Sequence, residues 1–203
     1  MRNVPNLLSF FRLLLTIPLV ILILVNTPTA YLWATALFAA GAITDTLDGR
    51  IARRYQLVST LGVFLDLTAD KVYVAAALVA FTQVSLAPSW ITIVIIAREF
   101  MVSGLRSLAA SAGQVIPAGR WGKQKTFLTL LAIGGILLAR GLDGHTAFPL
   151  GLSTGGAPTS FGDYLLALSD AVLTLAVVWT IISAVEYVRG AWGLLTSRRP
   201  VES

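Results

Sequence analysis

Six long apolar segments are the feature that most constrains the fold of this chain. They cover residues 7–25, 30–49, 59–81, 88–110, 124–140 and 163–188. Each is close to the length of about 20 residues that an α-helix needs to cross a bilayer. The chain is 56% hydrophobic and 12% charged, whereas about a quarter of the residues in soluble domains are charged. The sequence therefore predicts an all-α integral membrane protein with six transmembrane helices.

The domain organisation predicted from these segments is simple. Residues 1–203 form a single transmembrane domain, and residues 141–162, rich in Gly, Ser, Thr and Pro, form a flexible extracytoplasmic loop. The chain contains no cysteine, which excludes disulfides, a thiolate nucleophile and a cysteine metal site. His145, in the predicted loop, receives no functional role. The basic residues do not form one run, which argues against nucleic-acid binding.

The distribution of basic residues predicts the orientation in the membrane. Arg140 is the basic residue at the face of the connections after spans one, three and five. The positive-inside rule therefore places both termini in the cytoplasm. The opposite face carries Arg2, Arg50, Arg53, Arg54, Arg106, Arg120, Lys123, Lys125, Arg189, Arg198 and Arg199.

Acidic residues cluster at this cytoplasmic side. Four of the 10 acidic side chains, Asp45, Asp48, Asp66 and Asp70, lie between positions 45 and 70. Acids near membrane segments usually mark a functional site. Asp45 and Asp48 are three residues apart and Asp66 and Asp70 are four apart, so each pair shares one face of its helix. Such a set of hard oxygen ligands, without His or Cys, is typical of Mg²⁺ or Mn²⁺.

Three neighbouring residues extend this metal site to a phosphate ligand. Gly49 and Gly62 allow close approach to the backbone. Arg53 carries a guanidinium that matches phosphate oxygens. The combination predicts a diphosphate ligand. The alternative, that the acids only pair with nearby cations, explains neither the glycines nor the excess of acids.

The spacing of these residues resembles the signature of the CDP-alcohol phosphotransferase family. The motif reads Asp45-x-x-Asp48-Gly49-x-x-Ala52-Arg53, then eight residues, then Gly62-x-x-x-Asp66-x-x-x-Asp70. The resemblance implies six transmembrane helices, a homodimer, and transfer of a phosphatidyl or similar group from a CDP-linked donor to an alcohol.

The resemblance also implies roles for individual residues. By position, Asp45, Asp48 and Asp66 are metal ligands, and Asp70 is the general base and also a candidate ligand. The residues that contact the nucleotide diphosphate are Gly49, Arg53 and Gly62.

Further stretches are similar to bacterial phosphatidylglycerophosphate synthases, which implies CDP-diacylglycerol as donor, glycerol 3-phosphate as acceptor and a location in the bacterial cytoplasmic membrane. Two positions depart from that pattern, with Leu67 in place of proline and Thr129 in place of glutamine. The matching stretches are Asn3-Val4-Pro5-Asn6 with Arg12, Ala97-Arg98-Glu99-Phe100, Arg106 with Ala109-Ala110, and Gly119 through Gly122-Lys123-x-Lys125-Thr126.

Cations around the connection between spans four and five suit an acceptor that carries its own phosphate. The predicted acceptor-binding residues are Arg106, Arg120, Lys123 and Lys125. Positive-inside contact with anionic lipid is the alternative role for these cations. Arg98 and Glu99 lie within span four, where charges are costly, and either orient the substrate or pair with other helices.

Two alternative functions stay open at this point. The first is a sister enzyme of the same family that uses inositol phosphate or phosphatidylglycerol as acceptor. The second is a cation transporter. Transporters place ion sites near the bilayer midplane between repeated halves, whereas here the acids cluster at one face and no repeat is visible.

Overall fold

The structure, a computed structural model, describes residues 4–55, 60–111, 120–144 and 159–196. Side chains are described for residues 9–44, 62, 64–65, 67–111, 121–144 and 159–190. Over the described ranges the chain forms six α-helices and no strands. The helices are α1 (Val4–Val25), α2 (Pro28–Tyr55), α3 (Thr60–Gln83), α4 (Ser89–Ser111), α5 (Arg120–Gly141) and α6 (Phe161–Thr196).

Each predicted apolar segment coincides with one helix, which confirms the all-α prediction. Two helices are clearly longer than their apolar segments. Helix α2 continues from residue 49 to Tyr55, and α6 continues from residue 188 to Thr196. The added turns begin with a basic residue, Arg50 in α2 and Arg189 in α6, and remain helical. Apolar composition marks burial in protein or lipid and not the end of the hydrogen-bonded helix. Residues 145–158 of the predicted loop, including His145, lie outside the described residues.

The helices enclose an apolar core. Helix α1 packs against α2 and α3, α5 packs against α2 and α6, and α4 packs mainly against α6. Gly135 of α5 faces Ser169 of α6 so closely that an added Cβ would overlap the serine side chain, which shows why a small residue is needed there. Large core side chains include Leu19, Tyr31, Phe81, Ile91, Ile133, Leu137 and Leu173.

The outer surface of the bundle is also apolar. Trp33, Phe100 and Phe127 expose 66%, 67% and 66% of their surface. Many other large apolar side chains on all six helices are likewise exposed. Exposed apolar surface on this scale marks contact with lipid or another protein.

One helical segment among the described residues, Phe161–Gly190, is long and apolar enough to cross a membrane by length and composition. A shorter apolar segment covers Ser9–Val25.

The helix ends after α1, α3 and α5 have one backbone feature in common. Each contains a non-glycine residue with positive φ: Asn26 (53°), Ser85 (59°) and Asp143 (57°). After α3, the Leu86 N–H donates to the Phe81 carbonyl at 2.8 Å, which satisfies a terminal carbonyl of that helix. The turns after α1 and α3 are short. The end of α5 at Gly144 lies against the start of α6 at Gly162, so the two helices of each pair run antiparallel. The ends of α2, α4 and α6 therefore lie at the opposite side of the bundle, where the acidic motif is found.

Candidate active site

The acidic motif lies on two continuous helices. Asp45, Asp48 and Arg53 belong to the last turns of α2, and Asp66 and Asp70 belong to the first turns of α3. Because both segments are helical, each aspartate pair shares a helix face as the spacing predicts. The structure does not describe the side chains of four of these residues, Asp45, Asp48, Arg53 and Asp66, or the surroundings of Gly49. The structure therefore describes the position of these residues on their helices and the surroundings of Asp70.

Helices α2 and α3 meet one turn from the aspartates. The rings of Phe38 and Tyr73 stack with their centroids 5.5 Å apart. The Tyr73 hydroxyl donates to the Leu37 carbonyl at 3.0 Å. Gly41 faces Tyr73 so closely that an added Cβ would lie 2.6 Å from the hydroxyl oxygen. Gly41 precedes Asp45 by one turn and Tyr73 follows Asp70 by one turn, so this contact brings the turns that carry the two acids near each other.

Asp70 lines a cavity between α3, α4 and α5. The cavity has a volume of about 40 Å³ and is partly open to the surface. Its charged lining comes from Asp70 and Lys71 of α3, Glu99 of α4 and Lys125 of α5. The rest of the lining is Val74, Ala75, Leu78, Ile95, Ile96, Phe100, Thr126 and Thr129.

A buried ionic network forms one wall of this cavity. Lys125 Nζ donates to Glu99 Oε1. Arg98 Nη1 donates to the same oxygen at 2.9 Å. The lysine side chain is 4% exposed and that of Arg98 is 9% exposed. Two cations and one carboxylate leave one net positive charge, which suits an anionic ligand.

Arg98 is in turn held by helix α6. Its Nη2 donates to Ser183 Oγ at 2.5 Å, and its guanidinium carbon lies 5.5 Å from the centroid of the Tyr187 ring. A cation over an aromatic face is stabilised by the ring electrons. Helix α6 therefore holds Arg98, the member of the network that does not line the cavity.

The predicted acceptor-binding residues differ in position. Lys125 is buried and lines the cavity with Asp70. Lys123 and Arg106 are exposed and are not part of the cavity lining. The side chain of Arg120 lies outside the described ones. Thr129, one of the two departures from the resembled pattern, is buried on the cavity wall and donates to the Lys125 carbonyl at 3.0 Å.

Comparison with known sequences identifies the family. The sequence model of the CDP-alcohol phosphatidyltransferase family matches residues 2–182. The chain belongs to the CDP-alcohol phosphatidyltransferase family. This assignment replaces the cation-transporter alternative.

Relatives within the CDP-alcohol phosphatidyltransferase family match nearly the whole chain. The CDP-diacylglycerol–glycerol-3-phosphate 3-phosphatidyltransferase of Bacillus subtilis is 35% identical, over 96% of this chain and 98% of its own length. The Pseudomonas fluorescens protein of the same name is 37% identical, over 94% of this chain and 90% of its own length. A probable phosphatidylglycerophosphate synthase of Mycobacterium tuberculosis is 33% identical, over 93% of this chain and 81% of its own length.

The positions of Glu99 and Arg98 in the site go beyond what the sequence predicts. The sequence is compatible with two roles for this pair, substrate orientation or pairing between helices. In the structure Glu99 lies in the cavity wall, and Arg98 is paired with it outside the lining. The only sequence signal for them was a charged pair inside an apolar segment. No group of three or more His, Cys, Asp or Glu side chains that could hold a metal occurs among the described residues, which do not include the side chains of Asp45, Asp48 and Asp66.

Proposed function

We propose that this protein transfers a phosphatidyl group from CDP-diacylglycerol to glycerol 3-phosphate, with phosphatidylglycerophosphate and CMP as products. Relatives that match at least 90% of this chain carry the name of this activity. The observation in the structure that supports it best is the cavity that contains both Asp70 and Lys125. A phosphorylated alcohol requires a base for its hydroxyl group and a cation for its phosphate, and one cavity provides both.

The reaction follows from this arrangement. The acceptor hydroxyl oxygen forms a bond to the phosphorus that carries the diacylglycerol. The bond from that phosphorus to the bridging oxygen of the diphosphate breaks, and CMP leaves with this oxygen. Asp70 takes the hydroxyl proton, and Lys125 holds the acceptor phosphate. Gly49, Arg53 and Gly62 contact the diphosphate of the donor in this proposal.

The aspartate set fits a divalent metal ion, Mg²⁺ or Mn²⁺. Its four members are hard oxygen donors. The contact between Gly41 and Tyr73 brings the turns of Asp45 and Asp70 together. We therefore propose Asp45, Asp48, Asp66 and Asp70 as the residues that hold the ion. When bound, such an ion offsets the negative charge of the diphosphate during transfer.

The setting proposed for this reaction is a membrane. The exposed apolar side chains on all six helices fit a lipid-facing surface, and a lipid donor requires access from the bilayer. We propose that six helices cross the bacterial cytoplasmic membrane as one domain, with the termini and the active site on the cytoplasmic side. The homodimer that the family resemblance implies is part of the same proposal.

The test is an assay of the purified protein in detergent with CDP-diacylglycerol and a panel of acceptors. We expect CMP release and a phosphatidylglycerophosphate product with glycerol 3-phosphate. Consumption of inositol phosphate or phosphatidylglycerol instead would assign the sister activity. Chelation is expected to stop the reaction and Mg²⁺ or Mn²⁺ to restore it. Full activity after rigorous metal removal would contradict the metal proposal.

A further inference from the structure

Glu99 uses only one of its two carboxylate oxygens within the ionic network. Both Lys125 and Arg98 donate to Oε1. Neither of these hydrogen bonds involves Oε2. A carboxylate accepts about four hydrogen bonds, so Glu99 retains acceptor capacity.

Glu99 is also the member of the network that opens toward the cavity. Its side chain is 25% exposed, compared with 4% for Lys125 and 9% for Arg98. Glu99 and Lys125 line the cavity with Asp70, whereas Arg98 is not part of that lining. A ligand that fills the cavity therefore meets the carboxylate as well as the ammonium group.

The proposed acceptor has three polar groups to place in this cavity. Its phosphate suits Lys125, and the hydroxyl that attacks the donor suits Asp70. Its second hydroxyl does not react, and it needs a hydrogen-bond acceptor once water is displaced. The unused oxygen of Glu99 is such an acceptor on the same cavity wall.

We propose that Glu99 is a specificity-determining residue whose Oε2 accepts a hydrogen bond from the non-reacting hydroxyl of the acceptor. The inference rests on the proposed function. It restricts the acceptor to phosphorylated alcohols that carry a second hydroxyl next to the reacting one. Glu99 thereby has two roles: Oε1 orients Lys125, and Oε2 recognises the second hydroxyl of the alcohol.

The experiment separates these two tasks by comparing two acceptors. One is glycerol 3-phosphate, and the other is 3-hydroxypropyl phosphate, which lacks only the second hydroxyl. For the wild-type protein we expect kcat/KM to be about 10- to 100-fold lower with the analogue, because a carboxylate loses its hydrogen-bond partner. For Glu99→Ala we expect the two acceptors to differ by less than about 3-fold.

Two further variants make the comparison decisive. Lys125→Ala should lower kcat/KM for both acceptors by the same factor, because both carry the phosphate. Glu99→Gln keeps the size of the side chain and should give a ratio between those of the wild type and Glu99→Ala, because a neutral hydrogen bond is about half as strong. It decides the test if the alanine variant does not fold.

Equal losses with both acceptors in the Glu99 variants would overturn the inference and leave Glu99 as a positioning residue for Lys125. A wild-type protein that does not distinguish the two acceptors would also overturn it. Neither result affects the proposed function. A wild-type protein that does not use glycerol 3-phosphate would overturn the proposed function itself, and with it this inference.

Discussion

Asp70 is the one aspartate of the motif whose surroundings are described, and it lies on the wall of the cavity. We expect Asp70→Asn to lower kcat by about 10²- to 10⁴-fold, because an amide cannot take the proton of the acceptor hydroxyl. The amide is also a poorer metal ligand. Binding of CDP-diacylglycerol should partly survive. The measurement is kcat as a function of pH together with donor binding.

The same substitution at Asp143 serves as a control. Asp143 lies in the turn after α5 with φ of 57°, a conformation that asparagine also adopts readily. Asp143→Asn should therefore retain wild-type kcat. Near-normal kcat of Asp70→Asn at every pH would show that Asp70 is not the general base.

Lys125 and Lys123 provide a second test at single residues. We expect Lys125→Ala to raise the KM for glycerol 3-phosphate by about 10- to 100-fold and the KM for the donor far less, because a charge-assisted contact to phosphate is lost. Lys123→Ala should have a smaller effect, since Lys123 is exposed and does not line the cavity. Steady-state kinetics with each substrate varied in turn measure both effects.

The KM values of the lysine variants distinguish a specific phosphate contact from a general effect on the cavity. Lys125→Arg should restore only part of the affinity, because a planar guanidinium differs in shape from an ammonium group. Similar increases in both KM values for Lys125→Ala would indicate a general collapse of the cavity. A larger effect of Lys123→Ala than of Lys125→Ala would move the acceptor site to the exposed lysine.

The sequence alone does not determine which of the predicted acceptor-binding residues line the cavity. It predicts that both Lys123 and Lys125 bind the acceptor, but side chains two residues apart on a helix point in nearly opposite directions. Only the packing of α5 determines which of them is buried. Glu99 was ambiguous for a related reason. Its partner Lys125 is 26 positions away on another helix, and no local spacing reveals such a contact.

At the level of the helices, the close contact between α2 and α3 at Gly41 makes a testable prediction. In Gly41→Ala the new Cβ would lie 2.6 Å from the Tyr73 hydroxyl oxygen and 2.7 Å from the ring carbon that bears it. Tyr73 is buried and hydrogen-bonded to the Leu37 carbonyl, so its ring cannot move aside. Helices α2 and α3 therefore have to separate. We expect lower kcat/KM and a destabilisation of about 1–3 kcal/mol, measured by thermal unfolding in detergent.

Gly104 on α4 offers a matched control. An added Cβ there meets no atom within 4 Å, so Gly104→Ala should be neutral or slightly stabilising, as alanine favours the helix by about 1 kcal/mol. If Gly41→Ala behaves like Gly104→Ala, the contact with Tyr73 does not set the distance between α2 and α3.

The helices themselves were readily predicted from the apolar segments, whereas their ends were not. Helix α2 continues through Arg50 and Arg53 because basic side chains are compatible with a helix whether or not it lies in lipid. This extension matters for the site, since it keeps Asp48 and Arg53 on the same rigid element as Gly41. The stacking of Phe38 on Tyr73 could not be predicted, as neither residue is marked by a local pattern.

For the whole molecule, the proposed orientation is testable because the chain contains no cysteine. Ser85 lies in the turn between α3 and α4, and Ser111 lies at the end of α4; both are exposed. We expect Ser85→Cys, but not Ser111→Cys, to react with a membrane-impermeant maleimide on cells whose cytoplasmic membrane is intact and accessible from outside. Both cysteines should react after the membrane is opened.

Labelling of Ser111→Cys alone in intact cells would reverse the proposed orientation. Labelling of both would contradict a membrane that separates the two ends of α4. Retention of transferase activity by each variant provides the control for folding.

The ion pair between Glu99 and Lys125 also affects the entropy of binding. A free lysine side chain loses about 1.5–2 kcal/mol of rotamer entropy when it becomes ordered. In this protein the ammonium group is held by Glu99 of the same chain, so that loss belongs to folding. In the proposed acceptor site the phosphate therefore binds a cation that the protein already holds in place. We expect weakening of the ion pair to make acceptor binding entropically less favourable even where its enthalpy is unchanged.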